Sequence, residues 1–138
     1  MSKLSELGNS ICLMFSAIGT AISVYLGGWD ILLKALVIFM ITDYISGVVV
    51  AIIEKKLSSA VGFKGIAKKV AILALVGIAF YLDQVLGTDL LRNMAILFYI
   101  ANEGISILEN TSKLGVPYPQ KLKDILEQLK KENDNKEG

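Results

Sequence analysis

Apolar residues in this chain come in four long runs, followed by one helix-period amphipathic stretch. The runs cover residues 11–29, 31–53, 66–86 and 91–109. A helix needs about 20 mostly apolar residues to cross a bilayer. Each run is thus read as a span, with a re-entrant or surface-lying helix as the alternative for the fourth, and the short connections between them pair the spans into two hairpins. Residues 110–138 are polar. Within 119–132, Leu122, Ile125, Leu126 and Leu129 repeat at helical spacing with Lys and Glu opposite. The expected fold is all-α and integral to the membrane: four transmembrane helices plus a C-terminal amphipathic helix.

The sides of the membrane follow from charge. Lys55, Lys56, Lys64, Lys68 and Lys69 crowd the connection between the second and third runs, with Gly62 and Gly65 as expected turn points. Basic residues in short loops are retained on the cytoplasmic side. With that loop inside, four crossings place residues 1–10 and the Lys-rich tail inside as well. Three crossings would put the tail outside, so the charge pattern prefers four. The tail is then expected on the inner membrane surface or against a sister tail. Residues 1–10 place a charge before an apolar run, as a signal peptide does. No small-residue cleavage site precedes the next span, so the segment is expected to be retained.

The polar positions inside the runs carry the candidate chemistry. In the first run, Gly8, Cys12, Ser16, Gly19, Ser23 and Gly27 recur at steps of three and four, forming one small-residue face. Such a face suits close helix contact in lipid. It also suits a water-facing lumen after assembly. In the second run, Asp43 lies near the middle with Thr42, Ser46 and Gly47 beside it. An acid at that depth is costly unless paired, hydrated or protonated, and it marks either ion passage or a polar helix contact. Asp83 falls near the end of the third run and reads as interfacial. Asn102 and Glu103 interrupt the fourth run, where Glu103, Ser106 and Asn110 share a face with Tyr99. Gly115, Pro117 and Pro119 end that helix.

Composition narrows the function classes. Of the 138 residues, 54% are hydrophobic and the net charge is +1, so no field recruits nucleic acid. There is no His and Cys12 is the single Cys, which removes His-based triads, His/Cys metal sites and internal disulfides. No cofactor and no enzymatic activity is expected.

Residues 106–122 read SILENTSKLGVPYPQKL. This stretch resembles the toxin secretion/phage lysis holins, in which a Ser-Ile-Leu-x-Asn element precedes Gly-x-Pro-x-Pro and a basic tail. Asp43, Ser46 and Gly47, and then Ser58, Ser59, Gly62, Gly65, Lys68 and Lys69, match less sharply. The resemblance covers about residues 33–123. It implies a homo-oligomer in the bacterial cytoplasmic membrane that opens lesions in the lipid at a set time, with an endolysin or a large toxin as cargo. A small ion- or proton-coupled transporter subunit centred on Asp43 and Glu103 is the alternative reading. A membrane anchor whose tail recruits a soluble partner is a third.

Overall fold

The computed structural model describes residues 2–135. Five helices follow in order: α1 (Ser2–Tyr25), α2 (Ile31–Ile53), α3 (Ser59–Leu86), α4 (Leu91–Lys113) and α5 (Gln120–Asn135). No strand occurs among the described residues. Residue 1 and residues 136–138, the ends of the expected N-terminal segment and of the tail, lie outside them.

Local chemistry sets most helix ends. The Asp30 side chain accepts from Leu33 N at 3.0 Å and starts α2. Ser58 does the same for α3 through Val61 N. Gly87, with φ of +70°, closes α3 in the left-handed cap that glycine adopts without steric cost. Two expected boundaries move. Helix α1 begins at Ser2, so residues 2–10 belong to the first helix rather than to a separate segment. Helix α3 begins at Ser59, so Gly62 and Gly65 are helical, not turn points. They lie beside Tyr44 of α2, whose hydroxyl reaches Gly62 O.

Helices α2, α3 and α4 form the bundle. Helix α4 runs parallel to α2, since Arg92 meets Asp30 near one end and Asn110 meets Asp43 and Ser46 further along. Helix α3 runs antiparallel to both, with Asp83 beside Arg92 and Lys69 beside Asp43. Leu26, Leu33, Leu36, Met40, Ile72, Val76, Ile96 and Ile100 make the shared core. Outside that core, large apolar side chains are exposed along α1, α2 and α3, among them Phe15, Ile38, Ile45, Phe63 and Val70. Such surfaces are compatible with lipid as their solvent.

Three helices, α1, α2 and α3, are long and apolar enough to cross a membrane, and α4 is not among them. The reason lies in the packing. No residue of α4 from Leu91 through Leu108 is exposed. It packs against α2, α3 and α5, so much of its surface meets protein and its sequence is under less demand to match lipid.

Helix α5 supplies the last of those neighbours. It is not a separate tail but folds back along α4, with Leu126 over Gly104. Leu126 and Leu129 are sheltered there, while Leu122 and Ile125 remain exposed. A Cβ at position 104 would sit 2.9 Å from both Leu126 methyls and 3.2 Å from Phe39, so glycine sets this approach. Gly104→Leu is therefore expected to push α5 away, with an overpacking cost of about 1–3 kcal/mol. Limited proteolysis of the connection at residues 114–119 is expected to accelerate in that variant.

Candidate functional site

Two polar centres lie in this apolar bundle. The first is at mid-height. Lys69 of α3 donates to Asp43 Oδ2 of α2 at 2.8 Å and to Glu103 Oε2 of α4 at 2.6 Å. One ammonium thus ties three helices together. Glu103 is 3% exposed, and the Lys69 and Asp43 side chains are 14% and 15% exposed. Asn110 Nδ2 adds bonds to Asp43 Oδ1 at 3.2 Å and to Ser46 Oγ at 3.0 Å. A charge-assisted network is stabilising in such a place only when its members are partnered. Here every buried side-chain nitrogen and oxygen among the described residues has a partner.

Two cavities of about 260 Å³ each flank the cluster. One is bounded by Asp43, Gly47, Gly65, Lys69, Ser106 and Asn110. The other is bounded by Asp43, Ile72, Tyr99, Asn102, Glu103 and Ser106. Both are large enough for several waters beside polar walls.

The second centre is at the end of the bundle that holds the α1–α2 and α3–α4 connections. Arg92 is buried there. Its Nε donates to Leu26 O at 2.5 Å, its Nη2 to Gly28 O at 3.0 Å, and its Nη1 to Asp30 Oδ2 at 2.7 Å. Asp83 completes the knot. Its carboxylate accepts from Leu91 N and Arg92 N at 2.9 Å each, and from the Thr88 hydroxyl at 2.6 Å. A residue of α3 thereby satisfies the first orphan amides of α4. Gly27 has φ of +89°, and a Cβ there would meet Arg92 Nε at 2.6 Å.

These positions redistribute the expected site residues. Asp43, Ser46, Glu103 and Asn102 do gather at one site, together with Ser106 and Asn110. Thr42 does not: it is exposed and returns its hydroxyl to Ile38 O within its own helix. Gly27 leaves the small-residue face, because α1 ends at Tyr25 and Gly27 serves the turn around Arg92. Gly8, Cys12, Ser16, Gly19 and Ser23 remain on α1, with no residue of that helix buried. Lys69 is not a loop cation but the centre of the cluster, whereas Lys55, Lys56, Lys64 and Lys68 are exposed. Asp83 is a buried cap at 3% exposure, not an interfacial acid. Gly115, Pro117 and Pro119 lie in the α4–α5 connection, where Gly115 has φ of +83°.

Arg92 is the main residue that sequence reasoning missed. It stands in a mixed-charge connection, and its partners Leu26, Gly28 and Asp30 lie more than sixty positions away. The Arg92 guanidinium also holds the Asp30 carboxyl below its ordinary value of 3.8. A depressed acid contributes stability above its ordinary value and loses it as pH falls through the folded value. Amide protection around residues 26–30 is therefore expected to stay flat from neutral pH down towards 3.8 and to fall only below it, in hydrogen exchange.

Comparison with known proteins agrees with this assignment of the chain to the membrane. The family model described as the bacteriophage holin family matches residues 20–131. An uncharacterised 14.9 kDa protein from the nagH 3′ region of Clostridium perfringens is 46% identical over 115 residues, covering 82% of this chain and 87% of the relative. An uncharacterised Listeria monocytogenes protein is 49% identical over 119 residues, covering 84% and 85%. An uncharacterised Bacillus subtilis protein is 36% identical over 121 residues, covering 85% and 90%. No solved structure matches the chain. The matched region contains both the Lys69 cluster and the Arg92 knot. The chain belongs to the bacteriophage holin family.

Proposed function

We propose that this protein is a working holin: copies assemble in the bacterial cytoplasmic membrane and open a lesion through which an endolysin, or a large toxin, leaves the cell. The observation that carries this reading is the position of α5. Its outward positions include Lys121, Asp124, Glu127 and Lys130, all exposed. Leu126 places it beside the middle of α4. Charges at that height are incompatible with lipid. The α4–α5 side of each subunit therefore faces water, while the apolar sides of α1, α2 and α3 face lipid. Subunits arranged with their α4–α5 sides inward would enclose an aqueous opening.

In this reading α4 crosses the membrane as a fourth span, because it runs the same course as α2. The start of α1 and the α4–α5 connection then lie on the cytoplasmic side, with the exposed lysines of residues 55–68, whereas α5 runs back along α4 and carries the C-terminal end away from that side. The chain is too small to surround a wide opening alone, so many copies are required. The transporter alternative fits the site less well, since the Lys69 ammonium already stands between Asp43 and Glu103, where a transported cation would sit.

The test is induced expression in a bacterial host with and without a cytoplasmic endolysin, following culture density and membrane potential together. A delay, then abrupt depolarisation, with lysis only when endolysin is present, is the expected result. Steady growth with an intact potential, in cells whose membranes contain the protein, would overturn it.

A further inference from the structure

The Lys69 cluster has a charge imbalance. Two carboxyls face one ammonium: Asp43 Oδ2 and Glu103 Oε2 lie 2.8 and 2.6 Å from the same Lys69 nitrogen. If both were ionised, they would repel as like charges at a buried site, with one negative charge left uncompensated. Other neighbours do not supply the missing charge. Helix α2 adds the Tyr44 phenol, and α4 adds Tyr99 and the amides of Asn102 and Asn110. On α3, Lys68 borders both cavities but is exposed and forms no ion pair with either carboxyl. Helices α1 and α5 place no ionisable side chain on either cavity wall.

We infer that the Asp43–Glu103 pair is a proton-binding site, holding one shared proton between its carboxyls, and that this proton locks α3 against α2 and α4. A proton between the two carboxyls replaces the repulsion of like charges held on one ammonium with an O–H···O⁻ hydrogen bond, which is short and strong in kind. It also leaves one carboxylate charge against one ammonium, so the cluster is neutral. The flanking cavities give water, and thereby protons, a place to reach the pair. Its mechanical consequence follows from the packing. Helix α3 touches α2 sparingly, and in its first half Lys69 is the ionic tie to α2 and α4, beside the Tyr44–Gly62 hydrogen bond and the packing of Ile72. Loss of the proton restores the negative charge and weakens that joint. The pair titrates as one unit, so the proton belongs to both residues.

The experiment uses the full chain in lipid vesicles and does not involve lesion formation, so its outcome is independent of the pore reading. Infrared spectroscopy at neutral pH reads the carbonyl stretch of a protonated carboxyl. The wild type is expected to show this band, with the shift in heavy water that marks an exchangeable proton. Asp43→Asn and Glu103→Gln are each expected to abolish it. Raising the pH is expected to remove the wild-type band reversibly, with a parallel rise in amide exchange in the first half of α3. In Glu103→Gln, whose amide mimics a protonated partner, that exchange is expected to be insensitive to pH. No band in the wild type, or a band that survives in both variants, overturns the proposal. Should a variant fail to fold by circular dichroism, the wild-type pH titration decides alone. A band absent throughout would mean that Lys68 or a bound cation supplies the counter-charge.

Discussion

Lys69→Met is expected to cost about 3–5 kcal/mol of stability, because removing one partner of a buried ionic group strands the other charges. In this chain it strands the net negative charge of the Asp43–Glu103 pair. The pair would be left with the Asn110 amide on Asp43 and no bonded cation. The loss should appear as a lowered unfolding midpoint in detergent titration. The triple variant Lys69→Met, Asp43→Asn, Glu103→Gln separates charge from shape. With no ion left to desolvate, it is expected to recover most of the loss. The single and triple variants therefore differ in sign from any additive account, as residues sharing one network do. A triple variant no more stable than Lys69→Met would show that packing of the lysine stem, not charge balance, holds α3.

Arg92→Ala is the second large expected effect. It removes donors to two backbone carbonyls and the fork to Asp30, all at a side chain with 8% exposure. The carbonyls of Leu26 and Gly28 then lose a buried partner, each costing about 1–3 kcal/mol. The Asp30 contribution is smaller, because that side chain is 47% exposed and its pair is screened. A loss of about 3–4 kcal/mol follows from these principles. Arg92→Lys is expected to rescue little of it. A single ammonium cannot reproduce the planar fork that serves Leu26, Gly28 and Asp30 together. Thermal unfolding of both variants in detergent checks the point. If Arg92→Lys matches the wild type, only charge, not geometry, is required at this position.

The two knots have different roles in the chain's architecture. Arg92 and Asp83 join the α1–α2 and α3–α4 connections at one end, and so set how α1, α2, α3 and α4 enter the bundle. The Lys69 cluster joins α2, α3 and α4 halfway along their length. Between them lies the apolar core of Leu33, Leu36, Val76 and Ile96. In lipid such a core gains little from the hydrophobic effect, since lipid tails are as apolar as leucine. Directional polar contacts are then what define which helix sits beside which. This is why the largest expected losses come from charged residues rather than from the core.

The sequence by itself determined the helical class, the three strongly apolar helices and the polar positions inside them. Run length and helical period depend only on neighbours along the chain, and lipid-facing helices need nothing else to be recognised. The motif around residues 106–122 was equally legible, and the family match includes it. What only the tertiary structure decided was which polar residue met which. Asp43 reads alone as an acid in a greasy run, and Lys69 reads as the last member of a basic cluster. They are 26 positions apart, and only the antiparallel packing of α3 on α2 brings them to 2.8 Å. Asp83 likewise exchanged an expected interfacial role for a buried one, beside an Arg92 to which no role had been given. Helix α4 could not be graded from hydropathy because its surroundings are other helices, and α5 could not be placed because an amphipathic face does not name the surface that will cover it. Pairings of this kind depend on contacts between distant segments, and those exist only once the helices have packed.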